Sequence, residues 1–218
     1  MKDYKKIATR FHQAVSAYDK KTVIELTCPN YIQHNPNVPT GQGALVGFLD
    51  MLESSQTKIQ NLRMIQDKSF VVMHHRWLNA IPFGFDQTEA FHIIRFDENQ
   101  KIAEHWNVMK AATIEESIHS LENKKFQLSD FGQTKNNKTI IKNKITHANN
   151  RNSHAIFGEG NYVMSVSEGI ENNIKMAYYD LFRLEDSNVV EHWPIYQEIP
   201  SENLANDNTM FGFDLASM

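Results

Sequence analysis

Phe91-His92-Ile93-Ile94-Arg95-Phe96, the tetrapeptide Asp97-Glu98-Asn99-Gln100 and Lys101-Ile102-Ala103-Glu104-His105-Trp106-Asn107 read as two strands joined by a tight reversal. Apolar and polar residues alternate on both sides of a polar turn, the pattern of a half-buried hairpin. The block returns later in the chain as Tyr179-Asp180-Leu181-Phe182-Arg183-Leu184, Glu185-Asp186-Ser187-Asn188 and Val189-Val190-Glu191-His192-Trp193-Pro194. A repeated arginine strand, turn and Glu-His-Trp strand of this length marks an internal duplication.

Side chains alternate across a strand, so pairing His92 opposite His105 places His92, Ile94, His105 and Asn107 on one face. Phe91, Ile93, Arg95, Glu104 and Trp106 fall on the other. The second copy groups Asp180, Phe182, His192 and Pro194 against Tyr179, Leu181, Arg183, Glu191 and Trp193. Arg95 with Glu104, and Arg183 with Glu191, are expected as cross-strand ion pairs. Trp106 and Trp193 are expected in the core or between sheets. His105 and His192 occur in both copies, which points to fold geometry. His92 occurs only in the first, which makes it a candidate for function.

Upstream, Tyr4, Ile7, Ala8, Phe11, Val15 and Tyr18 recur at helical spacing, and Asp19 can cap a short second helix carrying Val23 and Leu26. Tyr31-Ile32-Gln33-His34-Asn35-Pro36-Asn37-Val38-Pro39-Thr40-Gly41 reads as a loop, because two prolines with Asn and Gly break regular structure. A third helix follows with Leu45, Phe48, Leu49 and Leu52 on one side. Strands are expected at 58–66, 69–79, 89–96 and 101–109, with a loop at 80–87 exposing Phe83 and Phe85. Thr113-Ile114-Glu115-Glu116 reads as a capping box opening a helix. Residues 123–133 read as a linker, 136–148 as a helix, and 154–157, 161–167, 175–184 and 189–198 as strands. Helices followed by a meander indicate an α+β fold.

Several of these segments together resemble the SnoaL-like polyketide cyclases of the nuclear-transport-factor-2-like superfamily. They are Tyr31-Ile32-Gln33-His34-Asn35-Pro36 with Gly41, Phe70-Val71-Val72-Met73-His74, both arginine strands, both Glu-His-Trp blocks, and the tail from Ile199-Pro200 to Asn208-Thr209-Met210-Phe211. The resemblance covers most of residues 1–110 and about the last 60. It implies a cone-like curved antiparallel sheet closed by helices over a deep pocket, here duplicated, with a second copy lacking most of its helices. Residues 1–112 would form the complete unit, 113–133 a helix and linker, and 134–218 a shortened unit packed sheet against sheet on the first. The result would be an intramolecular pseudo-dimer, with a homodimer left open. The tail is expected to run back across the core.

The resemblance also implies a site. In the cyclases a histidine on the arginine strand and an aspartate after the Glu-His-Trp block carry the chemistry, the aspartate as general base. The matching positions are His92 and Asn107 in the first copy, Asp180 and Pro194 in the second. His92, helped by His34 or by His74, the latter favoured over His75, is expected to supply proton transfer and Asn107 to stabilise an enolate, with Phe48, Trp77, Phe91 and His105 lining the ligand. Histidine titrates near neutrality and serves as acid, base or ligand. Three histidines could hold zinc or iron, but the spacing lacks a metal signature and no carboxylate joins them, so no metal and no cofactor are expected. The activity implied is that of a cyclase or isomerase acting on a small, apolar carbonyl compound. The alternative is a binding protein of the same fold that has lost the base.

Composition bounds the rest. Of 218 residues 41% are hydrophobic and 22% charged, with a net charge of −4, so no nucleic-acid surface is expected. The lysines between Lys135 and Lys144 read as a solvated helix face. A single cysteine, Cys28, excludes an internal disulfide framework and suits a reducing compartment. No secretory signal and no apolar run of about 20 residues is visible. A cytoplasmic protein without membrane contact is expected.

Overall fold

Two hairpin meanders, each led by its own helices, organise the chain in a computed structural model that describes residues 2–112, 126–148 and 151–213. The first begins with α1 (Tyr4–Ser16), whose first turn is capped by the Asp3 side chain accepting the Lys6 N–H. Asp19 caps α2 (Lys20–Leu26) in the same way through Thr22. Then come β1 (Thr27–Gln33), α3 (Gln42–Ser54), β2 (Lys58–Asp67), β3 (Phe70–Leu78), β4 (Gln87–Phe96) and β5 (Ile102–Ala111). The second meander carries α4 (Thr134–Asn143), prolonged by a π-helical turn over Lys144–Ala148, and β6 (Asn152–Glu159), β7 (Tyr162–Glu171), β8 (Ile174–Glu185) and β9 (Asn188–Glu198). The helix expected from Thr113 lies outside the described residues.

The first sheet has the order β1-β5-β4-β3-β2, antiparallel except that β1 lies parallel to β5, and the second runs β6-β7-β8-β9. The start of the segment read as a loop at Tyr31 is therefore the end of an edge strand. Its partner is far away in sequence, on β5, which local turn chemistry does not register. The central hairpin pairs His92 with Asn107 and Ile94 with His105, two residues on from the expected register. The turn closes on Lys101, which accepts the Asp97 N–H at 2.9 Å, and a bulge after Arg95 adds the rest. A slip of two preserves parity, so the faces are as read. The same bulge recurs after Arg183. Glu104 takes the Arg95 guanidinium and Glu191 that of Arg183.

Three apolar layers follow from these faces. Helices α1–α3 cover one side of the first sheet, where Phe11, Val15, Leu49 and Leu52 meet Val71, Met73, Trp77 and Ile94. The opposite side packs against the second sheet: Phe70, Phe91, Ile93 and Trp106 meet Phe157, Met164, Tyr179 and Leu181. On the outside of the second sheet, α4 and the π turn bring Ile141 and Ile145 to Phe182 and Leu184. Cys28 is buried with Sγ 3.4 Å from Asp97 Oδ2, and burial pushes its thiol up to about 11. Among the described residues no helix is long and apolar enough to cross a membrane.

After β9 the tail returns to the first sheet. Phe213 stacks on Trp106 at 4.5 Å, and Ala205 donates its N–H to Pro36 O at 2.7 Å. Asn206 Nδ2 donates to Asn35 O at 2.8 Å and Val38 O at 2.7 Å, and Asn208 Nδ2 donates to Gln33 O at 2.9 Å. These bonds hold the 33–38 segment from outside. Asn206→Ala is expected to cost about 1–3 kcal/mol, because it strands two carbonyls that the amide now satisfies. Urea unfolding of the variant against the native chain measures it.

Candidate ligand pocket

The alternation along β4 and β5 sends His92, His105 and Asn107 toward the helices, where α3 and the 35–39 segment leave a cavity of about 700 Å³. Leu45, Phe48, Met51, Trp77, Phe83 and Met109 make it largely apolar. Its polar lining comes from Tyr31, Gln33, Asn35, Asn37, His92, His105 and Asn107, and from Gln197 of β9. Among the described residues that line it there is no Asp, Glu, Lys or Arg. A charged ligand would enter without a counterion, so the cavity suits an uncharged one.

Its polar groups form a directed chain. Gln33 Oε1 accepts the Asn35 N–H at 2.9 Å, which turns Gln33 Nε2 toward His105 Nδ1 at 3.1 Å, and Tyr31 Oη lies 2.9 Å from the same nitrogen. An amide nitrogen only donates, so His105 Nδ1 accepts and the neutral ring carries its proton on Nε2. That proton points at His92 Nδ1, 2.8 Å away. His92 therefore holds its own proton on Nε2, which has no partner among the described residues.

Burial, and then the neighbouring His34, lowers His105 to about 3. Burial, then His105 and His12, holds His92 well below the ordinary histidine range. Both rings are neutral at pH 7. In this state the site donates hydrogen bonds and abstracts protons poorly.

Three residues expected in the cavity lie behind the sheet. His34 follows Gln33 on the edge and so turns to the other face, where it stacks on Trp106 at 4.2 Å. It bonds Glu104 Oε2 at 2.9 Å and Thr209 O at 2.8 Å. Burial works to raise the Glu104 carboxyl, but hydrogen bonds from His34 and Arg95 outweigh it and leave it below the usual range. His74 alternates to the inter-sheet side, accepts Arg63 Nη1 at 3.1 Å on Nδ1 and lies 3.6 Å from Glu89 through Nε2. Phe91 shares that face. Each is corrected by strand alternation alone. The helix-facing histidine of the pair is His75, whose ring centroid is 4.9 Å from that of His92.

Tyr31, Gln33 and Gln197 were not anticipated. Period-two counting through residues 27–33 would have found the first two, whereas Gln197 depends on how the second sheet docks. In the second copy the equivalent face carries Asp180 bonded to His192 at 2.7 Å and to Arg151 at 3.1 Å, with the Arg151 guanidinium 3.4 Å over the Tyr178 ring. Side chains thus satisfy one another where the first copy has its cavity. Among the described residues no group of three His, Cys, Asp or Glu side chains is arranged to hold a metal ion.

Residues 8–105 match the model of the SnoaL-like domain. Among solved structures the chain is similar to IdmH of Streptomyces antibioticus, named as a candidate polyketide cyclase (16% identity, 55% of this chain and 99% of that one, TM-score 0.42). It is also similar to a protein of unknown function with a cystatin-like fold from Methylobium petroleophilum PM1 (11%, 51% and 78%, 0.44). An NTF2-like protein of unknown function from Mesorhizobium loti is a third (15%, 50% and 91%, 0.43). No curated protein sequence matches the chain.

Proposed function

We propose, from the match of residues 8–105 to the SnoaL-like domain and from the lining of the cavity, that it takes a small, largely apolar carbonyl compound and promotes cyclase- or isomerase-type proton transfer on it. The observation that carries this reading is the His92–His105 hydrogen bond inside an uncharged, partly polar cavity. Loss of a carbon proton leaves negative charge on the carbonyl oxygen. The His92 ring and the Asn107 amide line the cavity and are the donors that this reading assigns to that charge, and fixed donors in a dry site stabilise it more than water does. Among the described residues the lining offers no carboxylate to take the carbon proton, so the compound is one whose C–H is acidic by itself, flanked by two carbonyls.

The test is deuterium incorporation from D2O into a β-ketoester, followed by proton NMR against the buffer rate. The native chain is expected to exceed buffer, and His92→Leu to lose at least about tenfold of the excess, as loss of one oxyanion donor does. Equal rates for the two proteins at saturating ester would remove the chemistry. The second reading would then stand, a non-catalytic binding protein of the same fold, which the amide at position 107 favours.

A further inference from the structure

We propose that the compound held in the main cavity has two unlike ends: a neutral carbonyl body beside His92 and Asn107, and a cationic tail that leaves between Asn37 and Gln197 into an outer groove built by the second copy. This deepens the proposed function and rests on it. The outer groove, about 420 Å³, is lined by Asn37, Gln197, Glu198, Pro200, Ser201 and Glu202. Asn37 and Gln197 line the main cavity as well. The wall between the two spaces is therefore no thicker than these two side chains.

Alternation along β9 brings Gln197 there. Trp193 and Ile195 pack into the layer between the sheets, and Gln197 is the next residue on that face. An apolar side chain would prolong the layer; an amide instead stands at the rim of the first copy's cavity. Its Nε2 reaches Met210 Sδ at 3.9 Å, a weak acceptor that a ligand oxygen can replace. Asn37 faces it from a fixed segment. Asn206 Nδ2 donates to Asn35 O and Val38 O on either side, and Asn35 Oδ1 accepts the Asn37 N–H at 2.9 Å. At the inner end the Asn107 amide is 7% exposed, lines the main cavity and has no hydrogen-bond partner among the described residues. Such a group calls for a polar atom of a ligand, which takes the place water holds in the free protein.

Charge then sorts the two ends. Among the described residues the main cavity has no ionised side chain, so a charged group would lose its hydration there without a counterion. Among the described residues that line the outer groove the charged ones are Glu198 and Glu202, both exposed and outside any ion pair. A carboxylate tail would be repelled there. A quaternary or primary ammonium would stay hydrated and meet two carboxylates. The body is then directed inward and the tail outward, and the second copy supplies specificity to the first copy's cavity.

The experiment is isothermal titration calorimetry on the full chain at pH 7 and low salt, with esters of benzoylacetic acid. Their alcohol ends in trimethylammonium, in its neutral tert-butyl isostere or in carboxylate, over a range of linker lengths. At the best length the cation is expected to bind at least about threefold tighter than the isostere, the scale of exposed ion pairs, and the carboxylate more weakly than both. The preference should vanish near about 1 M salt, where the Debye length is about 3 Å, and in the double variant Glu198→Gln, Glu202→Gln. Gln197→Trp, which thickens the wall, should weaken the tailed cation relative to the methyl ester of the same acid. Equal binding of cation and isostere at every length would overturn the outer site, as would a preference that survives in the double variant or an unchanged ratio in Gln197→Trp. A cation preference in a protein that gives no deuterium incorporation would keep the two-ended site and remove the chemistry. Absence of binding by every ester would remove both.

Discussion

Lowering the pH from 7 to 5 is expected to remove about 4 kcal/mol or more from the stability of this fold, a large share of what an ordinary domain possesses. His12 and His105 stand at about 3 in the folded chain against an ordinary 6.5, burial being the larger cause for both. A histidine that cannot protonate when folded but does so when unfolded favours unfolding as soon as the pH passes below 6.5. At pH 5 that is about 1.5 pH steps at 1.36 kcal/mol each, roughly 2 kcal/mol per ring. His75 and His92, lowered in the same direction by burial, add to it. Stability is therefore complete above pH 6.5 and falls through the window down to about 3. Glu104, held below the usual carboxylate range, begins to contribute only below about 4.5, so the two effects separate. Urea unfolding at half-unit steps from pH 7.5 to 5 measures the slope. His12→Leu should be close to neutral at pH 7 and about 2 kcal/mol more stable than the native chain at pH 5. A flat native profile, or the same slope in His12→Leu, would mean that these rings protonate in the folded state.

The parity of the central hairpin was readable from sequence because side-chain alternation survives any even error of register. This is why His92, His105 and Asn107 were grouped correctly although the pairing is His92 with Asn107. The arginine bulge that sets the pairing leaves no signature beyond its repetition. His34 and His74 were placed by family likeness, and alternation overrules it: Gln33 and His75 are the neighbours that face the helices. The edge strand β1 was hidden because its one partner among the described residues is a parallel strand some 70 residues on, and its proline marks an edge position as well as a loop. His12 could have been found, since Tyr4, Ala8, His12 and Val15 fall on one helical stripe. The closure of the pocket from the far side could not, because the hydrogen bonds of Asn206 and Asn208 and the position of Gln197 depend on how two sheets dock.

Replacing Asn107 by Asp is expected to raise deuterium incorporation into a β-ketoester about 100-fold over the native chain, the lower end of what a placed general base supplies. Position 107 lies directly across from His92 and lines the cavity. The native site has donors for the developing oxyanion but no acceptor for the carbon proton. A carboxylate there supplies that acceptor and, by its charge, draws the imidazoles beside it toward protonation, which strengthens donation to the oxyanion. Burial opposes ionisation, so the carboxyl should titrate above the ordinary aspartate range. The rate should then climb with pH through that value and level off. The added charge is expected to cost about 1–3 kcal/mol of stability, because only neutral donors surround it. Asn107→Leu, which removes both donor and base, separates the effects by falling below the native rate. If ester binds to all three proteins and none exceeds buffer, the array around His92 holds a carbonyl without activating it, and the donors serve recognition alone.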